Sequence, residues 1–133
     1  MQEIVYKLIG IIHTPFKDKK GVPKKPTAGK NVKGRIKMGS EYVDGLKGVE
    51  GFSHVILVYH FHRSVGYSLH VKQFISNRSC GVFATRSPKR PNPIGISVVK
   101  LVKIKGGTIY IRNVDMMDGT PLLDIKPLTQ NDS

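Results

Sequence analysis

Hydrophobic and polar residues alternate along most of this chain with a period of two, the spacing of a half-buried strand. Ile4 to His13 is a mostly apolar run with β-branched residues, long enough for one buried strand. From Val32 to Met38 the alternation is clean: Val32, Gly34, Ile36 and Met38 share one face, and Lys33, Arg35 and Lys37 the other. In a third run Val55, Leu57, Tyr59 and Phe61 oppose Ile56, Val58, His60 and His62, so the second face turns polar toward its end. Gly81 to Thr85 is a short apolar run. Ile94 to Lys105 alternates late, with Lys103 and Lys105 on the side of Leu101. Lys105-Gly106-Gly107-Thr108 predicts a two-residue hairpin turn, because glycine tolerates positive φ, and Thr108 to Val114 the return strand.

The helical signal is weak. Ser40 would cap a short helix through Glu41, Tyr42 and Val43, but Gly45 and Gly48 soon stop it. Two segments read as loops. Thr14 to Asn31 is basic and punctuated by Pro and Gly, and Arg86 to Pro93 is stiffened by three prolines. Many short strands at close spacing predict a mainly β fold with little helix: a small single-domain β-barrel over residues 1–133, closed or nearly so.

Composition narrows the class. Hydrophobic residues make up 39% of the chain and charged residues 23%, a globular balance. The single cysteine, Cys80, has no internal partner, which fits a reducing cytoplasm. No apolar run reaches membrane-spanning length, and Met1-Gln2-Glu3 does not open like a signal peptide. Charge changes the picture more. Twenty-two Lys and Arg against nine Asp and Glu give a formal +13. Nine of those cations lie between Lys17 and Lys37, and Gly51 to Val114 contains no acid at all. A surface normally mixes signs, so a polyanionic partner is expected, with nucleic acid first.

The familiar chemical signatures are missing. No G-x-G-x-x-G follows a strand, the partial match of Gly29-Lys30 to a phosphate-binding loop fails at Lys24 and Asn31, and Cys80 has no nucleophile motif around it. His60 and His62, two apart on one strand face, have metal-ligand spacing but no third ligand near in sequence, so roles without a metal are preferred. Arg86 and Arg90, with Ser87 and Asn92 beside them, sit on a stiff backbone that holds guanidinium groups for an anion or a base; the alternative is a sheet-capping turn. Asp115, Asp118 and Asp124 form a late acid cluster, either balancing salt bridges or a polar site, and Asp118-Gly119-Thr120-Pro121 is also an ordinary turn sequence.

Four segments taken together go further. They are Ile9-Gly10-Ile11-Ile12-His13-Thr14-Pro15-Phe16; Phe52-Ser53-His54 through Phe61-His62-Arg63; Gly81-Val82-Phe83-Ala84-Thr85-Arg86-Ser87-Pro88 running into Arg90-Pro91-Asn92-Pro93-Ile94-Gly95-Ile96-Ser97; and Asp115 to Pro127. In this order, from about Tyr6 to Leu128, they resemble the TsaA-like (TrmO) family of tRNA methyltransferases, of which the chain looks like a minimal form.

The resemblance implies a β-barrel that binds S-adenosylmethionine as a homodimer. It implies methyl transfer to N6 of N6-threonylcarbamoyladenosine, beside the anticodon of a tRNA whose anticodon stem-loop is the partner. It also implies the cofactor contacts: Pro23-Lys24-Lys25, His62-Arg63, Arg86 with the backbone near Ile96, and Asp118-Gly119-Thr120-Pro121. Asp118 becomes the candidate acceptor for the N6 proton, and Arg90 and Asn92 the substrate contacts, with Arg86 or Arg90 facing the threonyl carboxylate. The competing classes are a non-catalytic basic RNA-binding barrel and, further off, a metal hydrolase built on His60 and His62.

Overall fold

Inward positions repeat every second residue on six strands, and that repeat closes them on themselves. The computed structural model describes residues 2–18, 30–72 and 78–130. Its strands are β1 (Gly10–His13), β2 (Lys33–Met38), β3 (His54–His60), β4 (His70–Lys72), β5 (Ser79–Gly81), β6 (Ile94–Lys105), β7 (Thr108–Arg112) and β8 (Thr120–Pro127). Six form a closed antiparallel barrel in the order β1-β2-β7-β6-β3-β8, while β4 and β5 pair as a separate ribbon. β1 closes the ring by pairing with β2 on one side and β8 on the other. Ile12, Ile36, Leu57, Ile109, Ile111 and Leu122 fill the interior without exposure to solvent, each worth about 1.5–3 kcal/mol of transfer free energy. The expected small, mainly β barrel is the fold.

Several boundaries differ from the sequence pattern, each for a local reason. The pattern predicts a strand over Ile4–His13, but only Gly10–His13 joins the ladder. Ile9 N–H bonds to the Leu122 carbonyl and Gly39 N–H to that of Ile9; beyond these β2 turns away, leaving Ile4, Val5, Tyr6 and Leu8 exposed. Gly81–Thr85 is not one strand. β5 ends at Gly81, and Val82–Ala84 coils into a 3-10 turn closed by Thr85 donating to the Val82 carbonyl. A seven-residue 3-10 helix covers Ser40–Leu46, but Gly39 holds the N-cap position and no side chain caps it, so Ser40 is not the cap. The return strand stops at Arg112, where Asn113 turns to φ +73°. β8 is a strand the pattern missed, hidden by Pro121 and Pro127. Pro121 pairs only with β1 and Pro127 only with β3, so each falls where β8 has a single neighbour and its missing N–H is tolerated.

Lys103 and Lys105 do not share the side of Leu101. The ladder runs Leu101↔Ile111 and then Lys103↔Tyr110, so Val102 is a bulge that turns both lysines outward while Ile104 follows Leu101 inward. The outer face of β2, β7 and β6 therefore carries three cross-strand rows: Lys33–Arg112–Lys100, Arg35–Tyr110–Lys103 and Lys37–Thr108–Lys105. The first half of β6 is different outside, with Ile94, Ile96 and Val98 exposed beside His60, Val58 and Ile56 of β3. Among the described residues no helix is long and apolar enough to cross a membrane.

Antiparallel order collects the C-terminal ends of β1, β3 and β7 with the N-terminal ends of β2, β6 and β8 at one rim. At this rim Gly95 lies under the Tyr59 ring: a Cβ there would sit 2.5 Å from Tyr59 Cε2 and 2.6 Å from Phe61 Cζ, two rings packed edge to face. Gly95→Ala should cost about 1–3 kcal/mol as the rings are forced aside, read as a lower midpoint in denaturant unfolding. An unchanged midpoint would mean that the rings move freely.

Candidate functional site

The rim brings together residues that are distant in sequence. Asp118 is reached from β1: its Oδ1 accepts from the Thr14 backbone N–H at 3.0 Å and lies 3.3 Å from His13 Nδ1, and its Oδ2 accepts from Lys17 Nζ at 2.7 Å. The hydrogen bond and charge of Lys17 hold this carboxyl below its ordinary range, helped by Thr14 and His13. The turn is pinned on both flanks, since Asp118 N–H donates to the Phe16 carbonyl and Gly119 N–H to that of Ile12. Thr120, the first residue of β8, is buried and donates to the Met117 carbonyl at 2.6 Å, while Pro121 follows it opposite Ile11.

His62 stands against the same turn. Gly119 takes φ +84°, and a Cβ on it would lie 3.9 Å from His62 Nε2. Burial lowers the His62 pKa, Arg63 and His60 lower it further, and the charge of Asp118 opposes them. Arg63 itself is exposed. The segment after β3 is tied to the prolyl loop: Phe61 N–H donates to the Pro93 carbonyl at 2.7 Å and Ser64 Oγ to that of Pro88 at 3.1 Å.

The two loop arginines have different surroundings. Arg86 Nη2 donates to the Ile96 carbonyl, which fixes the guanidinium against β6. Arg90 turns back on its own loop, its Nη1 donating to the Thr85 and Ser87 carbonyls at 2.9 and 3.2 Å. Asn92 is exposed, its backbone carbonyl accepting from Ile94 N–H. Pro23, Lys24 and Lys25 lie outside the described residues. Asp124 does not join the others: it pairs with Lys126 at 3.1 Å on the outer wall of β8. Among the described residues no three of His, Cys, Asp and Glu converge on one point.

A polar chain in the barrel wall has no counterpart in the sequence pattern. Ser97 Oγ donates to Asp115 Oδ1 at 2.6 Å, which leaves its lone pairs to accept the Tyr59 hydroxyl at 2.8 Å. Burial pushes the Tyr59 pKa up to about 12 and raises that of Asp115, and the charge of Arg86 partly offsets both shifts. Arg86 thus faces a desolvated carboxylate behind it and open solvent in front. The available signal was Ser97 itself, a polar residue at an inward position between Gly95 and Val99.

A cleft of about 700 Å³ opens from Asp118, His13 and Lys17 toward Lys33, Arg35 and Tyr110. The tRNA-methyltransferase O N-terminal domain matches the chain over residues 11–132. A Pyrococcus abyssi protein described as a "probable S-adenosyl-L-methionine-binding protein" is 55% identical over 124 residues, covering 93% of this chain and 67% of that protein. The Escherichia coli tRNA (adenine(37)-N6)-methyltransferase is 37% identical over 137 residues, covering 96% of this chain and 58% of that enzyme. The crystal structure of TrmO from Pseudomonas aeruginosa superposes with a TM-score of 0.82 at 35% identity, over 98% of this chain and 58% of that one. The chain thus spans about three fifths of the length of these last two proteins.

The two rim carboxylates should titrate on opposite sides of the usual value of about 3.9, Asp118 below it and Asp115 above, in carboxyl-carbon NMR. Because the folded-state pKa of Asp118 is depressed, its stabilisation is present above the unfolded value and disappears as pH falls through the folded one. Asp118→Asn should therefore melt lower than the parent near neutral pH, and the two melting curves should converge in acid. Parallel curves down to about pH 2 would contradict the Lys17 pairing.

Proposed function

The chain belongs to the tRNA-methyltransferase O N-terminal-domain family, and on that premise we propose that it transfers a methyl group from S-adenosylmethionine to N6 of N6-threonylcarbamoyladenosine beside the anticodon of tRNA. The observation that carries this reading is the meeting, at one rim, of His62-Arg63, Arg86 with Ile96, and Asp118 to Pro121. The donor set suits the cofactor. Arg86 offers a guanidinium for a carboxylate, ionised Asp118 an acceptor for an ammonium or an N–H, and exposed Phe83 a flat apolar face.

When bound, S-adenosylmethionine supplies an electrophilic methyl group on a sulfonium that departs as a neutral thioether. The protein then has to align acceptor and methyl, and orientation of this kind supplies about 7–11 kcal/mol in good intramolecular models. Arg86 is set in direction by Ile96 and the prolyl loop before ligand arrives, which saves ordering entropy. Asp118 holds the N6–H and so turns the nitrogen toward the methyl. The Lys17 contact keeps it ionised, and its carboxylate takes the proton that N6 loses as the N–C bond forms and the methyl–sulfur bond breaks. Asn92 and the free edge of Arg90 face the threonyl carboxylate. A tRNA substrate and the single cysteine support a cytoplasmic location.

The proposal includes a homodimer. Ile96 and Val98, each 48% exposed, and their neighbour Ile94 form an apolar strip on the outer wall, and a second copy of this chain is its occupant. Ile96 belongs both to this strip and to the Arg86 contact, so the cofactor site borders the dimer face.

Methylation of defined tRNAs with and without the threonylcarbamoyl group, followed by nucleoside mass spectrometry, tests the reaction; no methyl gain on the premodified tRNA would overturn it. Arg86→Ala should weaken S-adenosylmethionine binding roughly ten- to more than a hundredfold by calorimetry at unchanged melting temperature. Arg86→Lys should recover little, because the planar fork is lost. Val98→Asp should shift the protein to a monomer in sedimentation velocity, and a variant that stays dimeric would place the interface elsewhere.

A further inference from the structure

We infer that the outer face of β2, β7 and β6 is the platform on which the RNA backbone lies, leading a nucleotide along the cleft to Asp118. This rests on the reading that the substrate is tRNA. The face presents seven cations, three each from β2 and β6 and one from β7, and no acid stands on any of these strands. The rows are roughly 7 Å apart along the strands, with neighbouring columns about 5 Å apart across them.

Folding does not account for this arrangement. Lys33 faces Arg112, which in turn faces Lys100, and like charges directly opposite each other destabilise a sheet. The Val102 bulge adds to the density, since without it Lys103 and Lys105 would point into the barrel. Turning two more lysines onto an already basic face raises its field, which an external polyanion relieves. Tyr110 at the centre keeps Lys103 in place, with the ammonium 5.0 Å from the ring centroid.

The position is also right. Lys33, Arg35 and Tyr110 belong both to the platform and to the wall of the cleft that ends at Asp118. A polyanion lying along the rows therefore reaches the rim without crossing an acidic surface. A protein that docks on lipid would present apolar wedges here, whereas only Val102 is an exposed apolar side chain within the grid.

The test compares Lys37→Gln/Lys100→Gln/Lys105→Gln with the control Lys7→Gln/Lys47→Gln/Lys72→Gln. All six lysines are exposed, and none of the first three lines the cleft at Asp118. Affinity for tRNA is measured between roughly 50 and 200 mM salt. If all seven cations neutralise phosphates, the parent loses roughly 10³–10⁴-fold and the platform variant only about a hundredfold, while the control follows the parent. S-adenosylmethionine affinity should be unchanged in both. The platform variant should melt no lower than the parent, because opposed like charges have been removed. Equal salt dependence in the two variants, or a parent that binds no tRNA, overturns the platform. So does a platform variant that loses binding to phosphatidylserine vesicles while keeping that to tRNA. A parent that binds tRNA with this salt dependence but methylates none overturns the catalytic reading and leaves the platform standing.

Discussion

Closure of the barrel allows each strand residue two directions, into the packed interior or out to solvent. Because β1 pairs with both β2 and β8, no free edge exists on which a strand can slip, and a shift of one residue would exchange every inward side chain for an outward one. Ile12, Ile36, Leu57 and Leu122 are buried together for this reason. So is Ser97, a hydroxyl that the same parity carries inside, where Asp115 and Tyr59 satisfy it.

Two bulges are the places where the parity changes, and each re-aims side chains that matter. In β8 the register passes from Val58↔Asp124 to Tyr59↔Leu122, leaving Leu123 unpaired. Thr120 and Leu122 therefore point inward near the rim, while Asp124 and Lys126 point outward further along and pair with each other. In β6 the bulge at Val102 does the same for Lys103 and Lys105. β6 consequently has two outer faces in series, apolar from Ile94 to Val98 and basic from Lys100 onward.

The rim gains its chemistry from a contrast between two carboxylates three residues apart. Asp118 is surrounded by donors from the β1 end and stays charged, whereas burial raises the pKa of Asp115 against the opposing pull of Ser97 and the field of Arg86. Environments that push two acids apart in this way separate their chemistry: one is an ionised acceptor at the rim, the other a half-buried carboxyl in the field of Arg86. The prolyl loop completes the arrangement, since Arg90 spends its Nη1 on loop carbonyls and thereby stiffens the backbone that aims Arg86.

Alternation, turn residues and charge were enough to read the β-barrel class, the Gly106-Gly107 hairpin and the basic field, because each depends on neighbours two or three positions away. The four segments that carry the family resemblance were likewise visible as residues in a row. What no local pattern contained was the meeting of partners far apart in the chain. Lys17 depresses Asp118 from 101 positions away, Ser97 reaches Asp115 across the barrel wall, and the N-terminal strand ends where β2 turns off. β8 was hidden for the same reason, since whether a proline is tolerated depends on which neighbour its missing N–H would have faced. The direction of Lys103 and Lys105 was decided by a single unpaired residue. Periodicity is a property of one strand, but a bulge exists only between two, so the basic face became visible only when β6 was laid against β7.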